Sequence, residues 1–244
     1  MHITGMKRIL WILLIVVVVG CIIVCMHYGF RPEPQLEQKD EGGSQTTVYL
    51  QPYDNFTQKE AERLKAELDK HLGDILDEVF RVVVLPNKPL SGSFLGETKT
   101  KYRIDRLIAD MKGNADKHNI YVGVTHRDIC MRNKNGVKDW GVLGCSISSN
   151  HACVVSDHRL KHNKSDLWKV ATHEFIHTHY AYPHCPKDSS QCLMKDAKGH
   201  ADFRNKKDLC GFCKNKISHI IYSQTLKNHR DRFLIPLNGT AATA

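Results

Sequence analysis

The chain has 244 residues and a net charge of +9, with 41% apolar and 25% charged residues. These proportions exclude wholesale disorder and allow a buried core, and the scattered Lys and Arg, with no long basic run, argue against nucleic-acid binding. Fifteen histidines and nine cysteines raise the expectation of bound metal before any motif is read.

Lys7 and Arg8 precede an uninterrupted apolar run from Ile9 to Met26. Its length is about the minimum for a membrane span. The basic pair should stay in the cytoplasm, which places everything after Met26 outside it, in the periplasm or at the cell surface. Residues 1–30 therefore read as a signal anchor or a lipoprotein signal. Val18-Val19-Gly20-Cys21 resembles the box at which bacterial lipoproteins are cut and acylated, which makes Cys21 the candidate lipidation site. The apolar Ile22-Ile23-Val24 that follows favours the anchor. Residues 31–46, polar and with two Pro and two Gly, read as a linker to the folded part.

Residues 47–184 form the expected N-terminal lobe. Thr47 to Leu50 is a first strand. Asn55 or Thr57 can cap a helix to about Leu72, with Ala61, Leu64, Leu68 and Leu72 at helical spacing. Val79 to Leu85 and Asn119 to Val124 are strands, separated by a helix over Tyr102 to Met111. Gly141 to Ser148 and Ala152 to Val155 read as two more strands joined by a polar turn. A helix follows from about Ser165 to Tyr182. After an irregular stretch, Phe212 to Leu226 is a last helix. Strands that alternate with helices before a cysteine-rich segment, 185–244, predict an α/β (α+β) domain with a second, small lobe.

The chemistry centres on His173-Glu174-Phe175-Ile176-His177. Residues four apart on a helix lie on one face, so the two imidazoles can share a zinc ion. Leu167, Ala171 and Phe175 form the apolar stripe, and the histidines lie nearly opposite it, so they are not core histidines. Zinc lowers the pKa of a bound water to about 7, and Glu174 stands where it can take the proton. A third protein ligand is needed. Pro183 should end the helix and let the chain turn to present His184. His179 projects to the far side; Asp188, Asp196 and His200 are outer alternatives.

Cys185, Cys192, Cys210 and Cys213 follow in the pattern Cys-x6-Cys-x17-Cys-x2-Cys. The close final pair suits a structural zinc with four thiolates. Two disulfides are the alternative for an exported domain. Cys130, Cys145 and Cys153 lie outside this pattern and read as small apolar residues, or as one disulfide plus a thiol. Two zinc ions are thus expected, one catalytic and one structural.

Together these residues resemble the archaemetzincin family. That family has His-Glu-x-x-His on a helix, a third His followed directly by Cys, a Cys-x-Met, and a terminal Cys-x-x-Cys. The counterparts are His173, Glu174, His177, His184 with Cys185, Cys192-Leu193-Met194, and Cys210 with Cys213. Tyr121 to Thr125 and Val154 to Leu160 are similar to the strands that precede the family's helix. The resemblance implies a metzincin-like mixed, twisted sheet with an active-site helix and a small lobe around the all-cysteine zinc. It places Met194 in a turn beneath the catalytic zinc, and it implies a metallopeptidase acting on peptides or proteins, often as an aminopeptidase. The sequence departs from the family slightly in the spacing of the cysteine quartet and more clearly at the turn after the helix. Tyr180 stands where the family has the turn-forming Gly, and His184 comes one residue late, which predicts a wider turn. A non-catalytic zinc module and a hydrolase of non-peptide amides are the competing readings. Arg132 to Trp140 is a candidate cleft-lining loop. Nothing in the sequence separates endopeptidase from aminopeptidase action or sets the oligomeric state.

Overall fold

The computed structural model describes residues 45–197 and 203–233. The candidate anchor, Cys21, nearly all of the linker and His200 lie outside the described residues. Among those described, no helix is long and apolar enough to cross a membrane.

Strand β1 (Thr46–Pro52) leads to helix α1 (Gln58–Leu76) and strand β2 (Phe80–Val84). Strand β3 (Tyr102–Arg103) and helix α2 (Ile104–Met111) precede strand β4 (Asn119–Thr125). Four short strands follow: β5 (Ile129–Met131), β6 (Trp140–Val142), β7 (Gly144–Ile147) and β8 (Ala152–Ser156). Helix α3 (Leu167–Tyr180) and helix α4 (Gly211–Phe233) complete the described part.

Helix α1 begins on Thr57, not Asn55. The Thr57 hydroxyl accepts the Glu60 N–H while the Glu60 carboxylate accepts the Thr57 N–H, which satisfies two otherwise orphaned donors. The helix runs past Leu72 because Ile75 and Leu76 continue its buried stripe, and it stops at Asp77, whose φ is 55°.

The main sheet has the order β2-β1-β4-β8-β7. The first four strands are parallel, and β7 runs antiparallel along one edge. Side chains alternate across the sheet. Val48, Leu50, Val122, Val124 and Val155 face one apolar core with residues of α1 and α3. Ala152 and Val154 face a second core with α2, Tyr102 and Ile129. Burying each such side chain stabilises by about 1.5–3 kcal/mol. The cysteine-rich segment adds Cys185, Cys192, Leu193, Met194, Leu209 and Cys213 to the α1–α3 core.

The expected strand over Gly141 to Ser148 is two strands in two sheets. β6 pairs with β5 in a small sheet of order β3-β5-β6, and β7 pairs with β8 in the main one. Glycines flank the crossing. A Cβ on Gly141 would stand 1.7 Å from Nη2 of Arg159, whose guanidinium grips Asp128 with two hydrogen bonds. Gly144 meets Glu174 in the same way.

Candidate functional site

Helix α3 carries the first two histidines. His173 Nε2 lies 3.1 Å from His177 Nε2 and 3.3 Å from His184 Nε2. The other nitrogen of each helical ring is anchored. His173 donates Nδ1–H to the Leu193 carbonyl at 2.7 Å, and His177 donates Nδ1–H to the Tyr182 carbonyl at 2.5 Å. A carbonyl only accepts, so the proton sits on Nδ1 and the Nε2 lone pair faces the other rings. Burial, reinforced by the neighbouring His177, holds the His173 pKa well below the usual histidine value, and burial brings His177 down to about 4. Both rings are therefore neutral, as metal binding requires. Converging lone pairs with no donor between them repel unless a cation sits there. A four-coordinate zinc with Zn–N near 2.0–2.1 Å separates its nitrogens by about 3.3–3.4 Å, close to the distances seen.

The late His184 has a local explanation. Tyr180 stays helical, and its hydroxyl reaches across to Glu78. Ala181 takes the left-handed conformation instead, with φ 49°, and stops the helix two residues before Pro183. The extra residue thus lengthens the helix and leaves the turn unwidened. His184 comes three positions after Ala181, the same interval that the family pattern has between its Gly and its third His. An alanine in this conformation costs roughly 1–2 kcal/mol, which the packed segments on both sides must hold.

The alternatives separate. His179 faces away, stacked on Phe175 and edge-on to Phe80. Asp188 is exposed and lies 3.5 Å from Lys195. Asp196 lines the same cleft as the histidines but is not among the groups whose ligand atoms converge.

Glu174 lies in the wall of this cleft, against β7. A Cβ on Gly144 would stand 2.7 Å from its Cγ, so only glycine lets the strand pass so close. Burial pushes the Glu174 carboxyl up to about 8, against downward pulls from Lys206 and the Ser146 hydroxyl. A divalent cation among the histidines would pull it down further. The cleft holds about 600 Å³. Of the loop 132–140, only Trp140 lines it, half exposed. Val170 and Phe203 form an apolar part that no sequence spacing announced.

Met194 is fully buried in the turn after Leu193, and its carbonyl accepts the Cys185 N–H at 2.7 Å. Lys206, also buried, spans this turn. Its ammonium donates to the carbonyls of Leu193 and Lys195 and lies over the Phe203 ring.

The four sulfurs of Cys185, Cys192, Cys210 and Cys213 converge in a second cluster. Cys185 to Cys210 and Cys192 to Cys213 are each 3.7 Å. Zinc at about 2.3 Å from each sulfur of a tetrahedron requires S···S separations of about 3.8 Å. A disulfide needs about 2.05 Å, so the disulfide alternative does not describe this arrangement. Burial raises the Cys210 thiol, but hydrogen bonds from the Cys213 amide and neighbouring thiols outweigh it and bring it to about 7, toward the thiolate that binds metal. Cys130 and Cys153 are buried, Cys145 lies in the cleft wall, and none of them forms a disulfide.

No family profile matches the sequence, and no curated protein matches it significantly. Solved structures do resemble it. The archaemetzincin of Methanopyrus kandleri aligns with a TM-score of 0.62 at 19% identity, over 75% of this chain and 99% of that one. The archaemetzincin of Archaeoglobus fulgidus, complexed with malonate, aligns with a TM-score of 0.53 at 22% identity, over 70% and 99%. A zinc-dependent peptidase of Methanocorpusculum labreanum aligns with a TM-score of 0.52 at 18% identity, over the same shares. The chain has the archaemetzincin fold.

Proposed function

We propose that this chain is a zinc-dependent peptidase, with zinc held by His173, His177 and His184 and with Glu174 as the general base. One observation carries the proposal: three imidazole nitrogens converge beside a buried carboxylate that opens on the same cleft. When bound, zinc supplies Lewis acidity toward a carbonyl oxygen and makes water a competent nucleophile near neutral pH. Glu174 takes the proton of the attacking water and hands it to the leaving amine. The wall formed by Gly144 fixes the carboxylate's distance from the histidines. The archaemetzincins and the zinc-dependent peptidase that share this fold support the reading.

A purely structural zinc module has no use for a buried carboxylate in an open cleft. A peptide suits the site better than a small amide, because β7 is an edge strand along the cleft and an extended chain can add to it. The four cysteines would hold the second, structural zinc. Tethering through residues 9–26, with the domain facing away from the cytoplasm, is part of the proposal and rests on the sequence.

The test is Glu174→Gln. The variant should keep the metal content of the parent and lose hydrolysis of a diverse peptide library by about 10²–10⁴-fold. If the parent, fully loaded with zinc, cleaved no peptide, the binding-module reading would replace this one.

A further inference from the structure

Each histidine of the triad is tied to a residue that adjoins the cysteine cluster in the chain or in the core. His173 hydrogen-bonds the carbonyl of Leu193, the residue next to Cys192. His177 hydrogen-bonds the carbonyl of Tyr182, whose buried side chain lies in the same core cluster as Cys185, Cys192 and Cys213. His184 is joined to Cys185 by a single peptide bond, and the Cys185 N–H is bound to the Met194 carbonyl. Cys210 closes the set, since its N–H donates to the sulfur of Cys192 at 3.4 Å.

These tethers have a mechanical consequence. A ring nitrogen can be aimed only as well as the carbonyl that orients its partner nitrogen. Gathering Cys185, Cys192 and Cys213 around one ion brings the Leu193 carbonyl, Tyr182 and His184 into fixed relation. With the cysteines apart, nothing in the covalent chain keeps those three anchors in register. The Leu193 tether has an additional clamp, the Lys206 ammonium at 3.5 Å. Tyr182 gives its carbonyl to His177 and packs its side chain in the core that holds the cysteines.

We propose that the four-cysteine site is a positioning element for the histidine site, with Tyr182 as a coupling residue, so that metal on the cysteines sets the zinc affinity of the histidines. The proposal rests on the reading that both clusters hold metal. Linkage makes the effect reciprocal: a factor gained at one site is gained equally at the other. Couplings of this kind span about 5- to 150-fold in affinity.

The experiment uses the full chain carrying Glu174→Gln, so that hydrolysis plays no part. Zinc is loaded first on the cysteines, and Co2+ is then titrated onto the histidines, followed by its visible d–d absorption and by chelator competition. Tyr182→Leu keeps the backbone carbonyl and removes the aromatic side chain from the core it shares with the cysteines. It should weaken Co2+ at the histidines at least about 5-fold and alter the d–d spectrum while the protein stays folded. Cys213→Ser, which disrupts the cysteine site, should weaken it more. If Cys213→Ser does not fold, Tyr182→Leu decides alone. Wild-type Co2+ affinity and spectrum in folded Tyr182→Leu would overturn the coupling. A parent that binds no Co2+ at the histidines refutes the zinc reading and the coupling with it. A zinc-loaded protein with Glu174 intact that cleaves no peptide, beside a coupling that is observed, refutes the peptidase reading alone.

Discussion

Gly144→Ala is a sharp probe of how the fold places Glu174, the proposed general base. A Cβ at this position would lie 2.7 Å from Glu174 Cγ and 2.9 Å from Oε1. Non-bonded carbon atoms rest at about 3.5–4.0 Å, so the carboxylate or the strand must retreat by roughly 1 Å. The strand is held on its other side by the β8 ladder, and Glu174 is buried, so the carboxylate is the part expected to shift. A misplacement of about 1 Å at a reacting group costs on the order of 10²-fold in rate. That factor in kcat/KM corresponds to about 2.7 kcal/mol of transition-state stabilisation. Metal content should stay at the parent level, because the Leu193 and Tyr182 carbonyls, which orient His173 and His177, are not touched by the substitution. The assay pairs initial rates on a cleavable peptide with zinc analysis of the same sample. A variant with parental kcat/KM would show that the strand does not confine Glu174, or that Glu174 is not the base. Loss of zinc along with activity would show that Gly144 supports the metal site itself.

Other outcomes follow from single features. The Thr172 hydroxyl is buried without a hydrogen-bond partner, so Thr172→Val, of like shape, should stabilise by about 1 kcal/mol, read as a higher Tm; a drop would reveal a partner for that hydroxyl. Burial raises the Glu78 carboxyl above its ordinary value, although the Tyr180 hydroxyl pulls it down. A carboxyl raised on folding binds its proton more tightly in the native state, so its ionisation lowers stability as pH climbs from the unfolded to the folded pKa. Glu78→Gln should therefore raise Tm at about pH 8 and leave it nearly unchanged near pH 3, where both states are largely protonated; an equal gain at both would assign the effect to something other than ionisation. Removing metal with a strong chelator should lower Tm. Zinc at about 100 times its dissociation constant contributes about 2.7 kcal/mol per site, or roughly 5–10 °C in a domain of this size. An unchanged melting curve after verified metal removal would contradict metal binding by the folded state.

Local spacing carried much of this protein in its sequence. Thr57 was one of two candidate caps at the start of α1, and Ala61, Leu64, Leu68 and Leu72 marked its buried face. His173 and His177 stand one helical turn apart in any α-helix, so their shared face followed from covalent geometry. The pattern of four cysteines likewise named a cluster that the fold then assembled. Other features had no local signature. Strands β5 and β6 are three residues long, too short for an alternating pattern to stand out, and they exist because α2 and β8 offer them an apolar surface. The helix stop at Ala181 was hidden because alanine is a strong helix former, and its left-handed turn is imposed by what the neighbouring segments bind. Gly144 meets Glu174 across thirty positions of chain, and Tyr182 shares a buried core with Cys213 across a similar span. Sequence determined which residues share a helical face, because bond lengths and a 3.6-residue turn do so without help. Tertiary structure alone decided which strand walls Glu174 and which residues lie between the histidine and cysteine clusters, because close approach between distant segments depends on how whole elements pack.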